Sequence, residues 1–239
     1  SVSSRAVVGY PLGVLYGTGS KTNADGSFDL NSNGFPQITS SPMVLGDPNP
    51  DWRGGISLNM RYKKFRLNAV LEHSQGGEFS PRTLWVLRRF GTTQETANRL
   101  TLDQSLVNYR GTTVPAGTTV RGNIEDFGGG PVLLDENWYR TGIGGGFGDN
   151  QAYNFSIADA TWTKLRDLSL SYVLDTPVIK NIGLNDVILT FTGRDLININ
   201  NVDGIDPEIN TKGVSVAQGV EYFTNPQTKG FLFSLTINY

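Results

Sequence analysis

The sequence predicts an all-β protein whose strands belong to an antiparallel transmembrane β-barrel with long extracellular loops. The first observation is the chain's last nine residues, where apolar side chains alternate with mostly polar ones. In a strand, this period of two places the apolar side chains on one face. The members of that face, which we interpret as an outer-membrane assembly signal, are Phe231, Phe233, Leu235, Ile237 and Tyr239. A soluble edge strand this apolar would promote aggregation.

Composition is the second observation, and it narrows the class of protein. The 239 residues include 29 Gly, 11 Pro and no Cys, which favours strands and loops and excludes a disulfide scaffold. No segment approaches the about 18 consecutive apolar residues of a membrane helix, whereas a barrel strand is short and only half apolar. The net charge of −2, with no basic patch, argues against a nucleic-acid partner.

Five segments alternate clearly, and their connections are the third observation. The predicted strands are residues 54–62, 65–76, 161–174, 186–196 and 228–239. Short links join the first strand to the second and the third to the fourth, while residues 77–160 and 197–227 form long loops. Short periplasmic turns and long extracellular loops are typical of outer-membrane barrels. Residues 1–53 are then mostly an extracellular loop region that leads into the barrel strands of residues 54–239.

The polar face of these strands carries charged side chains. In a membrane barrel the apolar parity faces lipid and the polar parity lines a wet lumen. The lumen-facing candidates are Arg61, Arg66, Glu72 and Arg194. Alternation alone does not separate this arrangement from a soluble barrel, in which the apolar parity faces inward.

Aromatic residues provide a second signal for the facing of the strands. Three pairs of aromatic residues lie eight to ten positions apart: Trp52 with Tyr62, Trp162 with Tyr172, and Phe231 with Tyr239. Ten residues of a tilted strand rise about 24 Å, close to the ~25 Å between the two aromatic girdles of a membrane barrel. We therefore predict that Trp162 and Tyr172 share the lipid-facing parity, although ordinary core aromatics are the alternative.

Several motifs follow one another along the chain in a familiar order. They read GYPLG at 9–13, VLGDPNPDW at 44–52, ADATWTKLRDLSLSY at 158–172, GRDL at 193–196 and GIDPE at 204–208. Together with the terminal strand, this ordered set resembles SusC/RagA-type TonB-dependent outer-membrane transporters from about residue 9 to residue 239. The chain is similar to the C-terminal portion of such a transporter.

The resemblance implies a fold, a function and a set of partners. The fold would be a barrel of about 22 strands with an N-terminal plug, of which this chain supplies the C-terminal strands. The family imports oligosaccharides or peptides across the outer membrane of Gram-negative, Bacteroidota-like bacteria, with a SusD-like lipoprotein as lid. Five strands cannot close such a barrel, so we expect the plug, the N-terminal strands and the segment that engages TonB to lie upstream. Lipid would surround the barrel.

The loops supply candidates for substrate contact. Aromatic rings stack on sugar rings and pack against peptide side chains, and loops carry binding residues more often than scaffold strands do. The substrate-facing candidates are Phe127, Trp138 and Tyr139. A soluble carbohydrate-binding β-sandwich is the alternative function, and folding without detergent would distinguish it.

The sequence predicts no enzyme and no cofactor, with one open point. His73 and Ser74 are adjacent on a strand and point to opposite faces, so they do not form a catalytic pair. Three acidic residues close together could bind Ca²⁺ through their oxygens, although their spacing does not match an EF-hand. These residues are Asp203, Asp206 and Glu208. The alternative is an ordinary turn fixed by Pro207.

Overall fold

The computed structural model describes residues 2–141, 151–209, 211 and 218–239, and the chain forms two compact units. The sheet unit comprises Pro50–Gly76, Ala160–Glu208 and Asn225–Tyr239. The loop unit comprises Ser1–Asn49, Gly77–Asp159 and Ile209–Thr224. Of the two predicted long loops, positions 142–150, 210 and 212–217 lie outside the described residues.

The described residues are mostly strand and irregular structure, with short helices. The strands are β1 (Ser3–Arg5), β2 (Val14–Gly17), β3 (Met43–Gly46), β4 (Trp52–Tyr62), β5 (Phe65–Gln75), β6 (Glu78–Pro81), β7 (Arg99–Thr101), β8 (Leu106–Val107), β9 (Thr113–Val114), β10 (Thr119–Arg121), β11 (Asn123–Asp126), β12 (Pro131–Leu134), β13 (Ala158–Asp159), β14 (Trp162–Leu174), β15 (Asp186–Asn200), β16 (Val220–Glu221) and β17 (Gly230–Asn238). The helices are α1 (Arg82–Phe90), α2 (Gln94–Ala97), α3 (Glu136–Thr141) and α4 (Pro177–Asn181), with a 3₁₀ turn at Tyr153–Ser156. No helix in the described ranges is long and apolar enough to cross a membrane.

The sheet unit is one antiparallel sheet of five strands in the order β17-β15-β14-β5-β4. A turn at Lys63 and Lys64 joins β4 to β5, and Lys63 has a positive φ of 54°. The terminal strand pairs with β15, and Phe233 lies opposite Phe191. Strand β15 continues to Asn200, beyond the predicted end at residue 196.

A bulge in β14 interrupts the alternation of the sheet. The register of β14 shifts between Leu165 and Asp167: against β5, Arg166 is an extra residue, whereas against β15 the extra residue lies in β15. Such an extra residue exchanges the two faces of a strand, because side chains alternate with a period of two. Residues before and after Arg166 that share a parity in the sequence therefore lie on opposite faces of the sheet.

This exchange corrects the prediction for Trp162. The residue lies opposite Ser74 of β5, on the polar face, and is buried. Tyr172, beyond the bulge, lies opposite Phe65 on the apolar face, with 4.7 Å between the two ring centroids. The prediction that Trp162 shares the lipid-facing parity with Tyr172 is wrong, because the bulge separates them.

The loop unit is folded, although the sequence presents it as long connections. Its strands form small sheets of the order β1-β2-β3, β13-β6-β16, β10-β7, β8-β9 and β11-β12. Helix α1 ends at Gly91, whose left-handed backbone (φ 68°) directs its N–H to the carbonyl of Arg88. Glycine adopts this conformation at low cost, so the helix ends here. An apolar cluster is the core of the unit: Phe35, Val132, Leu134, Trp138, Tyr139 and Ala152.

Candidate membrane-facing and lumen-facing surfaces

The first face of the sheet exposes large apolar side chains. Cross-strand pairs such as Leu170 with Phe191, and Phe191 with Phe233, keep these side chains in register. Phe233 and Ile56 are each 68% exposed. Other exposed members of this apolar face are Leu58, Met60, Phe65, Leu71, Phe231, Leu235 and Ile237. An exposed apolar surface of this size is typical of a site that contacts a membrane or another protein.

The second face of the sheet is polar, and its central side chains are buried. Ser169 and Ser171 are each 8% exposed. The Asn68 amide donates a hydrogen bond to Ser169 (3.3 Å), and the hydroxyl groups of Ser171 and Thr190 lie 2.8 Å apart. The sheet thus buries polar groups and exposes apolar ones, the reverse of a soluble sheet.

The lumen-facing candidates all lie on this polar face. Arg61 of β4 is opposite Arg66 of β5, and both are exposed. Like charges directly across two strands repel, a cost that solvent reduces. Arg194 lies opposite Asp167, with 3.9 Å between Nε and a carboxylate oxygen. Contact of these residues, and of Glu72, with a substrate or a plug stays a prediction.

One end of the polar face holds a buried ion-pair network, which we call the Lys164 cluster (Lys164, Arg166, Asp206 and Glu208). Lys164 is 1% exposed. Its ammonium donates to both carboxylate oxygens of Asp206, at 2.8 and 2.6 Å, and to Glu208 at 2.6 Å. The side-chain oxygen of Gln227 is a further acceptor, at 3.2 Å. The cluster thus joins β14 to the segment after β15.

Arg166, the bulge residue, extends the cluster. Its Nε donates to Glu72 at 2.7 Å, and its Nη2 donates to Glu208. A carboxylate oxygen of Asp195 is 3.5 Å from its Nη1. The ring of Trp162 lies 5.0 Å from both the Lys164 ammonium and the Arg166 guanidinium. The aromatic face therefore adds a cation–π contact to two charges whose hydration is reduced.

The electrostatics of the cluster favour the ionised form of Glu208. Burial by itself raises the pKa of Glu208, but the hydrogen bonds from Arg166 and Lys164 outweigh it and hold that pKa below its ordinary value. A buried ion pair adds little to the stability of the fold compared with a well-packed apolar group. Removal of one partner is nevertheless destabilising, because it leaves an uncompensated buried charge. We therefore assign the cluster a positioning role, in which it holds residues 206–208 against β14.

Sequence reasoning missed Lys164, although a signal was present. If the strand alternated regularly through this segment, Lys164 and Arg166 would lie on the same face as Leu168 and Leu170. Two cations would then point toward lipid. Charge at that position is costly, so the pattern itself indicates a bulge between them.

Comparisons with known proteins agree with this architecture, although no protein-family model matches the chain. The TonB-dependent receptor P3 of Formosa agariphila is 25% identical over 216 residues, which is 88% of this chain and 18% of the receptor. The RagAB peptide importer in its closed-closed state aligns with 97% of this chain at a TM-score of 0.54 and 16% identity. The RagAB peptide transporter aligns over the same share, with a TM-score of 0.54 and 17% identity.

The chain is similar to the C-terminal portion of SusC/RagA-type TonB-dependent transporters. It spans about a fifth of the length of the relatives that it matches, 18% of the receptor and 23% of each RagAB chain. The RagAB likeness concerns the fold.

The aromatic candidates for substrate contact lie in the core of the loop unit. Trp138 and Tyr139 are buried, and Phe127 packs against them with 5.5 Å between its ring centroid and that of Trp138. The Tyr139 hydroxyl accepts from the Asn123 amide (2.8 Å) and donates to Glu95 (3.1 Å). Burial and the negative charge of Glu95 raise the pKa of Tyr139. These rings are packing residues of this core, and their contact with substrate stays a prediction.

The acidic and histidine candidates also find ordinary partners. Asp206 and Glu208 are engaged by the cations of the Lys164 cluster, whereas Asp203 is exposed in a turn. Among the described residues, no group of three His, Cys, Asp or Glu side chains is placed to hold a metal ion, and Ca²⁺ binding stays a prediction. His73 bonds Thr163 at 2.8 Å, whereas Ser74 accepts from Arg53 on the other face of β5.

Proposed function

We propose that this chain is part of an outer-membrane transporter that imports oligosaccharides or peptides in a Gram-negative, Bacteroidota-like bacterium. The observation that carries the proposal is a sheet with exposed apolar side chains on one face and a polar opposite face whose central side chains are buried. In a membrane barrel, such an apolar face would contact lipid and the polar face would line a water-filled lumen. The RagAB likeness in fold and the receptor similarity support the same assignment.

Strand lengths support a membrane-spanning sheet. A transmembrane β-strand needs about 9–11 residues when it is tilted. Strands β4 and β5 have 11 residues each, β14 has 13, β15 has 15 and β17 has 9. Strands in soluble proteins are typically about 5–6 residues long, so all five exceed the usual length.

The partners follow from the resemblance to this class of transporter. We propose a complete barrel of about 22 strands whose plug and N-terminal strands belong to the same transporter. TonB would supply energy through the plug, and a SusD-like lipoprotein would cover the extracellular side. The names of the relatives, a TonB-dependent receptor and a peptide importer, support a transporter rather than an enzyme.

A soluble β-sandwich fits the structure less well. In a sandwich the apolar face of each sheet packs against a second sheet and is buried. Here the apolar side chains of β4 and β17 are about half to two-thirds exposed, as Met60 (54%) and Phe231 (67%) illustrate. A sandwich would therefore leave its core uncovered.

The test uses the full-length protein in its native host. We expect it to fractionate with the outer membrane and to require detergent for solubility. Deletion of its gene should reduce growth on either a peptide mixture or an oligosaccharide mixture as sole nutrient, and the affected mixture identifies the substrate class. A protein that is folded and monomeric in detergent-free periplasmic extract would overturn the proposal.

A further inference from the structure

A cavity in the loop unit is lined by several arginine residues. It has a volume of about 440 Å³ and lies between the end of α1, the β10 strand and α3. Its basic lining residues are Arg88, Arg89, Arg121 and Arg140, and its acidic ones are Asp135 and Glu136. Small-molecule sites typically measure about 300–1,000 Å³, so the cavity can hold one or two sugar or peptide residues.

The acidic groups in and beside the cavity already have partners. Arg88 pairs with Glu95 at 2.8 Å, and Arg140 pairs with Glu136 at 2.5 Å. Asp135 accepts hydrogen bonds from the side-chain amides of two asparagines, at 2.8 and 3.1 Å. Amide donors do not cancel the charge of Asp135, but four arginines line the cavity against two carboxylates, so the lining keeps an excess of positive charge.

Arg121 is one of these arginines. Its Nε donates to the Thr96 carbonyl at 2.5 Å, and its Nη2 donates to the Gly91 carbonyl at 2.6 Å. These bonds use two of the five guanidinium N–H groups and hold the side chain in place. None of the ion pairs in the described part of the chain includes Arg121. Backbone carbonyls therefore fix the position of this guanidinium but leave its full charge without an anionic partner.

The strand pair that carries Arg121 adds a second positive charge. In the pairing of β10 with β7, Arg121 lies directly opposite Arg99, which is exposed and takes part in no ion pair of the described residues. Like charges directly across a strand pair are destabilising. An anion bound beside Arg121 would offset this repulsion.

We propose that this cavity binds a carboxylate of an acidic oligomer, with Arg121 as the principal contact. A guanidinium pairs with a carboxylate through two parallel N–H bonds, which gives both strength and orientation. The carboxylate can belong to a uronic-acid sugar or to the C-terminus of a peptide, and both share this chemistry. The choice of oligomers rests on the proposed import function, but the site itself rests on the cavity and its charges.

The experiment measures binding to the full-length protein in detergent by isothermal titration calorimetry. One arm compares trigalacturonic acid with its methyl ester, and the other compares trialanine with trialanine amide. In at least one arm the acid should bind about tenfold or more tightly than its neutral form. The neutral form lacks the carboxylate and therefore cannot make the charge-assisted bidentate pair with Arg121. Arg121→Gln should weaken that acid about tenfold, whereas Arg110→Gln, an exposed arginine outside the cavity, should change it less than about twofold.

The outcomes separate this inference from the import proposal. Binding in one arm identifies the source of the carboxylate. If both acids bind no better than their neutral forms, or if Arg110→Gln weakens binding as much as Arg121→Gln, the inference is overturned. The comparison of acid with neutral form needs no variant, so a misfolded Arg121→Gln protein leaves the test intact. Failure of binding would not affect the fractionation result that tests the membrane assignment.

Discussion

The sheet unit and the loop unit place their side chains in opposite ways. In the sheet unit, Phe233 and Ile56 are exposed while Lys164 and Ser169 are buried. In the loop unit, aromatic side chains such as Trp138 pack in a buried core of the ordinary kind. This difference is the one expected if the apolar sheet face lies in a nonpolar medium and the loop unit lies in water.

The stability of the two units should therefore respond differently to the loss of an aromatic ring. Trp138→Ala should destabilise the loop unit by about 3–5 kcal/mol, because a large buried side chain is replaced by a cavity. Trp52→Ala, on the exposed apolar face of β4, is the matched control and should cost much less. Urea denaturation of the full-length protein, followed by hydrogen exchange in β11 and β12, measures the difference. Equal effects would contradict the contrast between the units.

The Lys164 cluster offers the next test of the comparison, because the sheet unit buries charged side chains there, whereas the loop unit buries aromatic ones. Lys164→Met should destabilise the protein by about 3–5 kcal/mol, since it leaves Asp206 and Glu208 without the ammonium between them. Lys64→Met is the control, because Lys64 pairs with Asp175 at the exposed turn and its loss should have little effect. Thermal unfolding in detergent reports both values. A Lys164→Met protein as stable as the wild type would contradict the positioning role that we assign to the cluster.

Charge placed on the two faces of β4 should have unequal consequences. Leu58→Arg on the apolar face should cost about 2–4 kcal/mol if the residue lies near the middle of the membrane. Asn59→Arg, the next residue, points to the polar face and should be tolerated. Folding into lipid vesicles, followed by gel mobility with and without heating, measures the yield of assembled protein. Similar yields for both variants would contradict the facing of the sheet.

Acid should weaken the Lys164 cluster, although by less than the loss of Lys164. The pKa of Glu208 is below its ordinary value near 4.5 in the folded protein. Its contribution to stability is therefore complete above pH ~4.5 and is lost as the pH falls through the lowered pKa. The melting temperature should fall between pH 5 and pH 3 by less in Glu208→Gln than in the wild type. Asp203→Asn, an exposed acid in the same segment, should keep the wild-type dependence, and identical curves for all three proteins would contradict the assignment.

The sequence predicts the sheet better than it predicts the loop unit, for a physical reason. A strand that separates two media must alternate, so the five strands of the sheet can be recognised from the pattern of apolar and polar residues. Counting odd and even positions does not reveal the bulge at Arg166. The extra residue moves each residue of β14 before it to the opposite face of the sheet. The core around Trp138 depends on contacts between distant segments, which no local pattern encodes, and these aromatics therefore resemble loop binding residues.

The central claim is that the apolar face of the sheet contacts lipid, and cysteine labelling tests it most directly. These 239 residues contain no Cys, so none of them adds a competing label. Spin labels at Ile56, Ser57, Leu58 and Asn59 of the full-length protein in lipid vesicles report collisions with membrane-soluble oxygen and with a water-soluble nickel complex. We predict that the labels at Ile56 and Leu58 respond to oxygen and that those at Ser57 and Asn59 respond to nickel. Equal accessibility at all four positions would contradict the account.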